Sequence, residues 1–598
     1  MSSIQKLKET PHEENDQGNG WSEAEKIVSD LESVTVTALW WIWDWEGRPL
    51  TWSCTKVKIA RKGSKDNPFE LLIDLGAYQW WDEDTVIRLN RELPFNPSNI
   101  DAVVLTHAHI DHNWRLPMLV NTEWKKFDWP VYASKVTAML SLISLEDSAN
   151  IMQDNLESTQ NRASRLRSFL SSQLAELRKL EESLNPPSKK DKKQKKWGKW
   201  KRNSNWNQSR YEQIQEIRST HTKQEIEEKI RQIKSLLEDY QVEDNSDIAR
   251  VFAWRLQRAK DKVLFSHDDV YEIYSRMVQT SMYNRVEISP WVHLRFFKAA
   301  HILGSTQAVL EIDKWDGTTL NLWFSWDVGR FFDPLYLGTP DIPEVPFDYY
   351  QIESTYGDRE HNSREKEHKE ISEKVNQVYK RWWKIVIPSF MTQRIQDVAV
   401  YLLKMMENGE IPKMPIYYDW WYVDKINNIY RFSEIEDYKK LWSNQLKPVQ
   451  KDEASPNRFL KHNWPCILLS PSGMMHWWSI QKYIKNVLSD SKNALFFVGF
   501  QAKGTPWRDI LNWQKRIEVP WIWYVDIEAQ IEAFGGFSWH WDQLDLGFLA
   551  SEIWTRSNHK IWVNHWDSWS SQDELVRVLQ DNGLNAEPME VGKTQKIY

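Results

Sequence analysis

The chain has few cysteines and few glycines for its 598 residues, and each shortage excludes something. Two cysteines, Cys54 and Cys466, cannot build a disulfide framework, so the chain is no small secreted scaffold and a reducing compartment fits. No apolar run reaches membrane-spanning length and the polar start holds no signal peptide, so no membrane partner is expected and the cytoplasm is the expected location. Charge of one sign is also missing: a net −7 argues against attraction of nucleic acid over the whole surface, but clustered basic residues can still act locally. The 20 glycines are about half the usual share of roughly 7%, whereas tryptophan reaches 37.

The densest chemistry lies in Thr106-His-Ala-His-Ile-Asp-His112, directly after the apolar run Val103-Val104-Leu105. A short β-branched run followed by a ligand-rich turn reads as a buried strand delivering side chains to a sheet edge. His107 and His109 can grip one ion while Asp111 and His112 face a second. Imidazole with carboxylate suits zinc, with manganese or iron as alternatives. A lone His-x-His is more often a polar loop that caps and hydrogen-bonds; the full His-x-His-x-Asp-His spacing after a strand reverses those odds.

The length implies two to four domains. Residues 1–32 read as a disordered tail. Between residues 33 and 134 short strands alternate with turns, as in Thr55-Lys-Val-Lys-Ile59 and Glu70-Leu-Leu-Ile-Asp74, which suggests the first sheet of an α/β sandwich. Residues 156–241 differ: Leu166, Leu170, Leu174, Leu177, Leu180 and Leu184 step by three and four, and Ile214, Ile217, Ile230, Ile233 and Leu237 do so beyond a Pro186-Pro187 break. This predicts an inserted antiparallel helical hairpin. Its tip, Lys189 to Arg202, carries nine Lys/Arg against one Asp, as a solvated loop or an RNA-phosphate contact would. Strand and helix patterns alternate again over 349–525, predicting a second α/β domain, and 526–598 returns to the first.

Later motifs supply what the first one lacks. His301 in Ala-His-Ile-Leu-Gly-Ser, Asp327 in Phe-Ser-Trp-Asp-Val-Gly-Arg and His565 in Val-Asn-His-Trp-Asp each follow an apolar stretch. With Asp74 in Leu-Ile-Asp-Leu-Gly they resemble, in order, the motif set of the metallo-β-lactamase fold. That resemblance implies an αββα sandwich in which His107, His109 and His301 hold one metal and Asp111, His112 and His565 the other. Asp327 would bridge the two, and Asp74 would orient ligands from behind. Glu353-Ser-Thr-Tyr-Gly-Asp358, Pro388-Ser-Phe-Met-Thr-Gln-Arg394, Ser470-Pro-Ser-Gly-Met-Met475 and Phe537-Ser-Trp-His-Trp-Asp542 resemble the β-CASP cassette of RNA-processing nucleases. The group includes RNase J and the cleavage endonuclease of messenger-RNA 3′-end formation, and the likeness is greatest to bacterial and archaeal proteins that resemble the latter.

The resemblance implies a two-metal ribonuclease acting on single-stranded RNA, by endonucleolytic or 5′ to 3′ exonucleolytic cleavage. His540 would be the general acid, Glu353 would hold it, and Ser389, Arg394, Ser472 and Gly473 would contact RNA. A homodimer is a further expectation. The rival readings are a non-catalytic RNA-binding or scaffold subunit and a small-molecule metallo-hydrolase; the second α/β domain disfavours the last. Where family motifs use small residues, chiefly glycine, this chain has Trp326, Trp539, Trp541 and Trp566, and Trp382-Trp383 stands where a glycine turn is natural. We expect a gene from a lineage that reads UGA as glycine, translated here with UGA as tryptophan. The rival explanation is a set of aromatic RNA-stacking platforms.

Overall fold

The computed structural model describes residues 31–39, 53–62, 68–78, 83–121, 127–184, 212–213, 216–217, 219–332, 335–361, 363–419, 421–449, 464–471, 478–499, 506–512, 515–519, 523–537, 540–554, 559–564, 569–590 and 592–598. Most of the expected tail and the basic tip at 189–202 lie outside these; the tail's last two positions, Leu31 and Glu32, open the first strand. Among the described residues no helix is long and apolar enough to cross a membrane. Cys54 and Cys466 are buried and form no disulfide.

The first sheet draws on β1 (Leu31–Ala38), β2 (Thr55–Arg61), β3 (Phe69–Ile73), β4 (Ala102–Leu105), β5 (Val131–Ser134) and β6 (Met277–Thr280). The second uses β7 (Val286–Ser289), β8 (Val292–Lys298), β9 (Thr306–Asp313), β10 (Thr319–Phe324) and β11 (Tyr349–Ile352). The third uses β12 (Lys384–Pro388), β13 (Ile416–Tyr418), β14 (Leu446–Pro448), β15 (Cys466–Ser470) and β16 (Ala494–Phe497). After the ribbon of β17 (Arg516–Val519) and β18 (Trp523–Asp526), β19 (Gln530–Ala533) joins the third sheet, β20 (Ile561–Val563) and β21 (Ala586–Pro588) the second, and β22 (Thr594–Lys596) the first. The orders are β22-β1-β2-β3-β4-β5-β6, β21-β20-β11-β10-β9-β8-β7 and β14-β13-β15-β12-β16-β19.

Alternation decides which face each strand buries. In β2, Val57 and Ile59 are buried while Lys56 and Lys58 point outward, as one covered face requires. Val34, Val36, Val57, Ile59, Leu71 and Ile73 of the first sheet share one apolar cluster with Leu294, Phe296, Leu310, Ile312, Leu322 and Phe324 of the second, which makes the sandwich. The third sheet is parallel throughout and covered on both faces. Ile385 and Ile387 pack with helix Arg394–Glu407 on one side, and Val386 packs with Ile480 and Ile484 on the other, the arrangement of buried parallel strands.

This third sheet is inserted between neighbouring strands: the chain leaves the second sheet at β11 and re-enters it at β20, with Tyr350 opposite Ile561. Tyr349–Ile352 therefore pairs within the sandwich, and Gln530–Ala533 within the inserted sheet.

The helical insertion forms its own compact unit, residues 81–92 and 145–272. Helix Lys135–Leu184 runs for 50 residues, and Lys223–Asp239 starts from a Thr222–Glu225 capping box. Leu170, Leu174, Leu177 and Leu180 pack on Ile226, Ile233 and Leu237, so the hairpin read from the leucine spacing is present. A third helix, Asn245–Lys260, capped by Asp244, extends beyond the expected limit at 241. Its charged residues, including Arg250, Arg255 and Lys260, weaken the apolar period that marks the first two.

Candidate metal centre

Ends of β3, β4, β8, β10 and β11 deliver, in turn, Asp74, the His107–His112 run, His301, Asp327 and Glu353. Two loops are zipped together at the first pair of ends, where Leu75 N donates to His112 O (2.7 Å) and Ala77 N to Ile110 O (3.0 Å). A Cβ on Gly76 would lie 1.4 Å from Asp111 O, so only glycine allows this approach. Gly329 serves likewise, since its Cβ would meet Ala300 O at 2.0 Å where the Asp327 loop crosses the His301 turn.

Asp74 is fully buried at φ +59°. The left-handed conformation is held by its carboxylate: Oδ1 accepts from Thr106 N (2.7 Å), while Oδ2 accepts from Thr106 Oγ1 (2.7 Å) and faces His112 Nδ1 at 2.7 Å. Such strain persists only where several partners fix it. Thr106 Oγ1 also lies 3.1 Å from His107 Nδ1. One threonine and one carboxylate thus orient two imidazoles, leaving their Nε2 atoms for the centre.

There the donor atoms converge. His109 Nδ1 lies 3.2 Å from both His107 Nε2 and His301 Nε2, and Asp327 Oδ2 lies 3.5 Å from both of these Nε2 atoms. Atoms bonded at about 2.0 to 2.1 Å to a tetrahedral zinc lie about 3.4 Å apart. Four of the six edges between these donors are therefore close to those of a zinc tetrahedron. Burial holds His107 and His301 well below the usual imidazole range, which keeps them neutral, as ligands must be. Asp111, His112 and Asp327 form a second set. His112 Nε2 is 3.5 Å from Asp327 Oδ2 and 3.9 Å from Asp111 Oδ2, with Ser53 Oγ at 2.9 Å. Burial disfavours the charged form of His112, but Asp327 and Asp74 outweigh it and push its pKa well up; burial raises Asp111 to about 6.

Beside the cluster, Glu353 Oε1 accepts from Val328 N (2.8 Å) and Oε2 lies 2.9 Å from His540 Nδ1. His540, which follows β19, pairs with Gly329 as a single antiparallel bridge and stands 4.6 Å ring to ring from His301. His565, Ser472 and Gly473 lie outside the described residues. Ser389 and Arg394, expected to touch RNA, are both buried: the Arg394 guanidinium donates to the carbonyls of Val498 and Phe537, and Ser389 N donates to Ser470 O. These bonds to backbone are what a motif read as sequence does not reveal. Thr106 and Ser53 were not singled out by sequence. Thr106 is flagged by its place beside the histidines, whereas Ser53 reaches His112 from 59 residues away and carries no signal.

Comparison with known proteins matches residues 74–136 to the metallo-beta-lactamase superfamily and residues 395–510 to the Beta-Casp domain. The chain is a metallo-beta-lactamase-fold protein carrying a Beta-Casp domain, and that fold implies divalent metal ions. Similar proteins include ribonuclease TTHA0252 of Thermus thermophilus, 24% identical over 80% of this chain and 84% of that protein. The transcription termination factor FttA of Methanosarcina mazei is 28% identical over 48% of this chain and 47% of its own length. The RNase J-like protein of Methanocaldococcus jannaschii is 25% identical over 42% and 60%. The chain thus spans about half the length of the termination factor it matches.

Proposed function

We propose that the chain is a metal-dependent ribonuclease that hydrolyses phosphodiester bonds of single-stranded RNA. The observation that carries this is the His540–Glu353 pair, set beside a four-donor cluster spaced for a metal. A small-molecule hydrolase has no need of a histidine brought to Glu353 by the chain that leaves an inserted domain, and ribonuclease TTHA0252 aligns over most of both chains.

In this reading His107, His109, His301 and Asp327 hold one ion, and Asp111, His112, Asp327 and His565 a second, zinc being favoured over manganese by the imidazole-rich donor set. When bound, such a pair supplies positive charge against the attacked phosphate and lowers the pKa of water. Asp74 and Thr106 keep the imidazoles aimed inward. His540 gives its Nε2 proton to the leaving sugar oxygen, and Glu353, which accepts at Nδ1, fixes the ring and favours its protonated form. Arg394 acts indirectly by tying the segments after β16 and β19 together, and Ser389, Ser472 and Gly473 are read as RNA contacts.

The domain inserted between β11 and β20 is read as the Beta-Casp domain of the enzyme, the cytoplasm is the compartment proposed, and a second copy of the chain is a candidate partner that light scattering would count. The deciding experiment is incubation with 5′-labelled and internally labelled single-stranded RNA, with and without chelator. Metal-dependent cleavage is expected, and product lengths separate internal cutting from 5′ to 3′ trimming. Stoichiometric RNA binding with no cleavage after metal loading would establish the scaffold reading instead.

A further inference from the structure

His301 differs from His107 and His112 in how its ring is held. His107 has Thr106 at Nδ1 and His112 has Asp74, but His301 Nδ1 is buried without a hydrogen-bond partner. A donor imidazole is normally aimed by a bond at its second nitrogen. Without one, the aim of His301 depends on the turn that carries it.

That turn, His301 to Ser305, is anchored from two sides. Ser305 Oγ accepts from the amides of His301 (3.0 Å) and Ile302 (3.2 Å), and Ser134 and Thr137 bind Gly304 O. The remaining anchor comes from the inserted domain: Leu303 N donates to Gln393 Oε1 at 2.9 Å. Gln393 is fully buried, and it holds φ +69° and ψ −52° at the start of helix Arg394–Glu407. A side chain in that conformation is strained, so its surroundings must fix it. They do: Oε1 also accepts from Tyr430 OH (2.7 Å), and Nε2 donates to both carboxylate oxygens of Asp397 (2.9 Å each) and to Tyr438 OH, which itself donates to Asp397 Oδ1 (2.7 Å). Ile302 and Leu303 sit in the same apolar cluster as Ile395, Val398 and Leu402 of that helix.

We propose that Gln393, held by Asp397, Tyr430 and Tyr438, is a positioning residue that sets the aim of His301 from the inserted domain, so that metal retention in the sandwich depends on this amide. The proposal rests on the reading of His301 as a metal ligand. A fully satisfied buried network has discrete geometry and transmits position well.

The test is zinc affinity by competition with a chromophoric chelator, measured on the full chain with no RNA present. Gln393→Leu removes the amide at similar volume, and Gln393→Gly removes it while relieving the backbone strain. Both are expected to hold zinc about 10 to 100-fold more weakly, the usual effect of losing an orienting partner. Tyr430→Phe, which deletes one hydroxyl, is expected to weaken zinc several-fold and decides the matter if the Gln393 variants fail to fold. Wild-type zinc affinity in the folded variants would overturn the proposal, even if their melting temperatures fell. If the wild-type chain binds no zinc, the metal-centre reading itself fails, a different result from the variants matching a wild type that does bind.

Discussion

Glu353 holds Val328 N with one carboxylate oxygen and faces His540 Nδ1 with the other, at 2.8 and 2.9 Å. The carboxylate thus fixes His540 relative to the loop that carries Asp327. Replacing His540 with Ala should leave metal content intact and slow RNA cleavage by about 10² to 10⁴, the contribution of a positioned proton donor. The loss should shrink on a substrate with a good leaving group; an equal loss there would mean that His540 only positions RNA. Glu353→Gln retains an acceptor for Val328 N and should lower kcat more than it raises KM.

Asp74→Asn and Asp111→Ala separate orientation from ligation. Asp74→Asn should weaken zinc by about 10 to 100-fold while leaving a measurable rate at saturating metal. Asp111→Ala should abolish hydrolysis and lower metal content with the fold kept. Full metal occupancy and wild-type turnover in the Asp111 variant would remove this residue from the centre.

Burial raises the Asp545 pKa to about 6, against backbone bonds from the Phe332 and Asp542 amides that favour its charged form. A carboxyl with a raised folded-state value contributes stability that is fully present below its unfolded value of about 3.9 and is lost as pH rises through about 6. Asp545→Asn keeps an acceptor for the Phe331 and Phe332 amides but cannot ionise. Its melting temperature should therefore gain on wild type as pH climbs from about 4 to 7. A pH-independent difference would contradict the assignment.

Joining residues near Asn155 to residues near Glu243 by a short linker should leave chemistry intact and weaken RNA binding mainly at low salt. Phosphate neutralisation by Lys189 to Arg202 fades as counterions accumulate. Unchanged affinity at every salt concentration would leave the tip a solvated loop or a protein-docking arm.

Among the described residues, three of the eight non-glycine residues with positive φ are tryptophans: Trp291, Trp326 and Trp382. Each stands where glycine is the natural residue. Trp291 follows Pro290 in the turn between β7 and β8, and Trp382 ends helix Arg364–Lys380, with its N–H on Tyr379 O and that of Trp383 on Val378 O, the Schellman pattern. Trp326 is buried edge-on to His112 at 5.5 Å with its indole N–H unpartnered, as is that of buried Trp507. A left-handed conformation costs a non-glycine residue about 1 to 2 kcal/mol, and an orphaned buried donor about 1 to 3 kcal/mol more. The coding DNA should show UGA at 291, 326, 382 and 507, and native peptide masses should show glycine. A glycine-restored chain should express and cleave better than the tryptophan-bearing one; UGG codons at these positions would refute the idea.

Period-2 strands, the leucine-stepped hairpin and the ordered His/Asp motifs were legible because each is local: alternation in β2, spacing from Leu170 to Leu180, six residues from His107 to His112. What was not legible is contact across distance. Nothing near Arg394 says that its charge is spent on two carbonyls, and nothing near Ser53 predicts His112. The third helix, Asn245–Lys260, escaped because its exposed charges dilute the period. Gln393 escaped because its partners come from Leu303, Tyr430 and Tyr438, fixed only once the chain is folded.

The insertion between β11 and β20 also sets an order of folding. Ser354 Oγ binds Asn564 O across a separation of 210 residues, so the pairing that completes the second sheet is among the slowest kind to find by diffusion of an unfolded chain. Prior folding of the parallel sheet gathers its own ends and removes most of that search. A variant that merely slows the inserted domain should therefore accumulate a chain whose sandwich is open at β11, with Glu353 not yet facing His540 and apolar Tyr350 and Ile352 exposed as an unpaired edge. For such a chain the danger is aggregation during synthesis, well before any question of turnover arises.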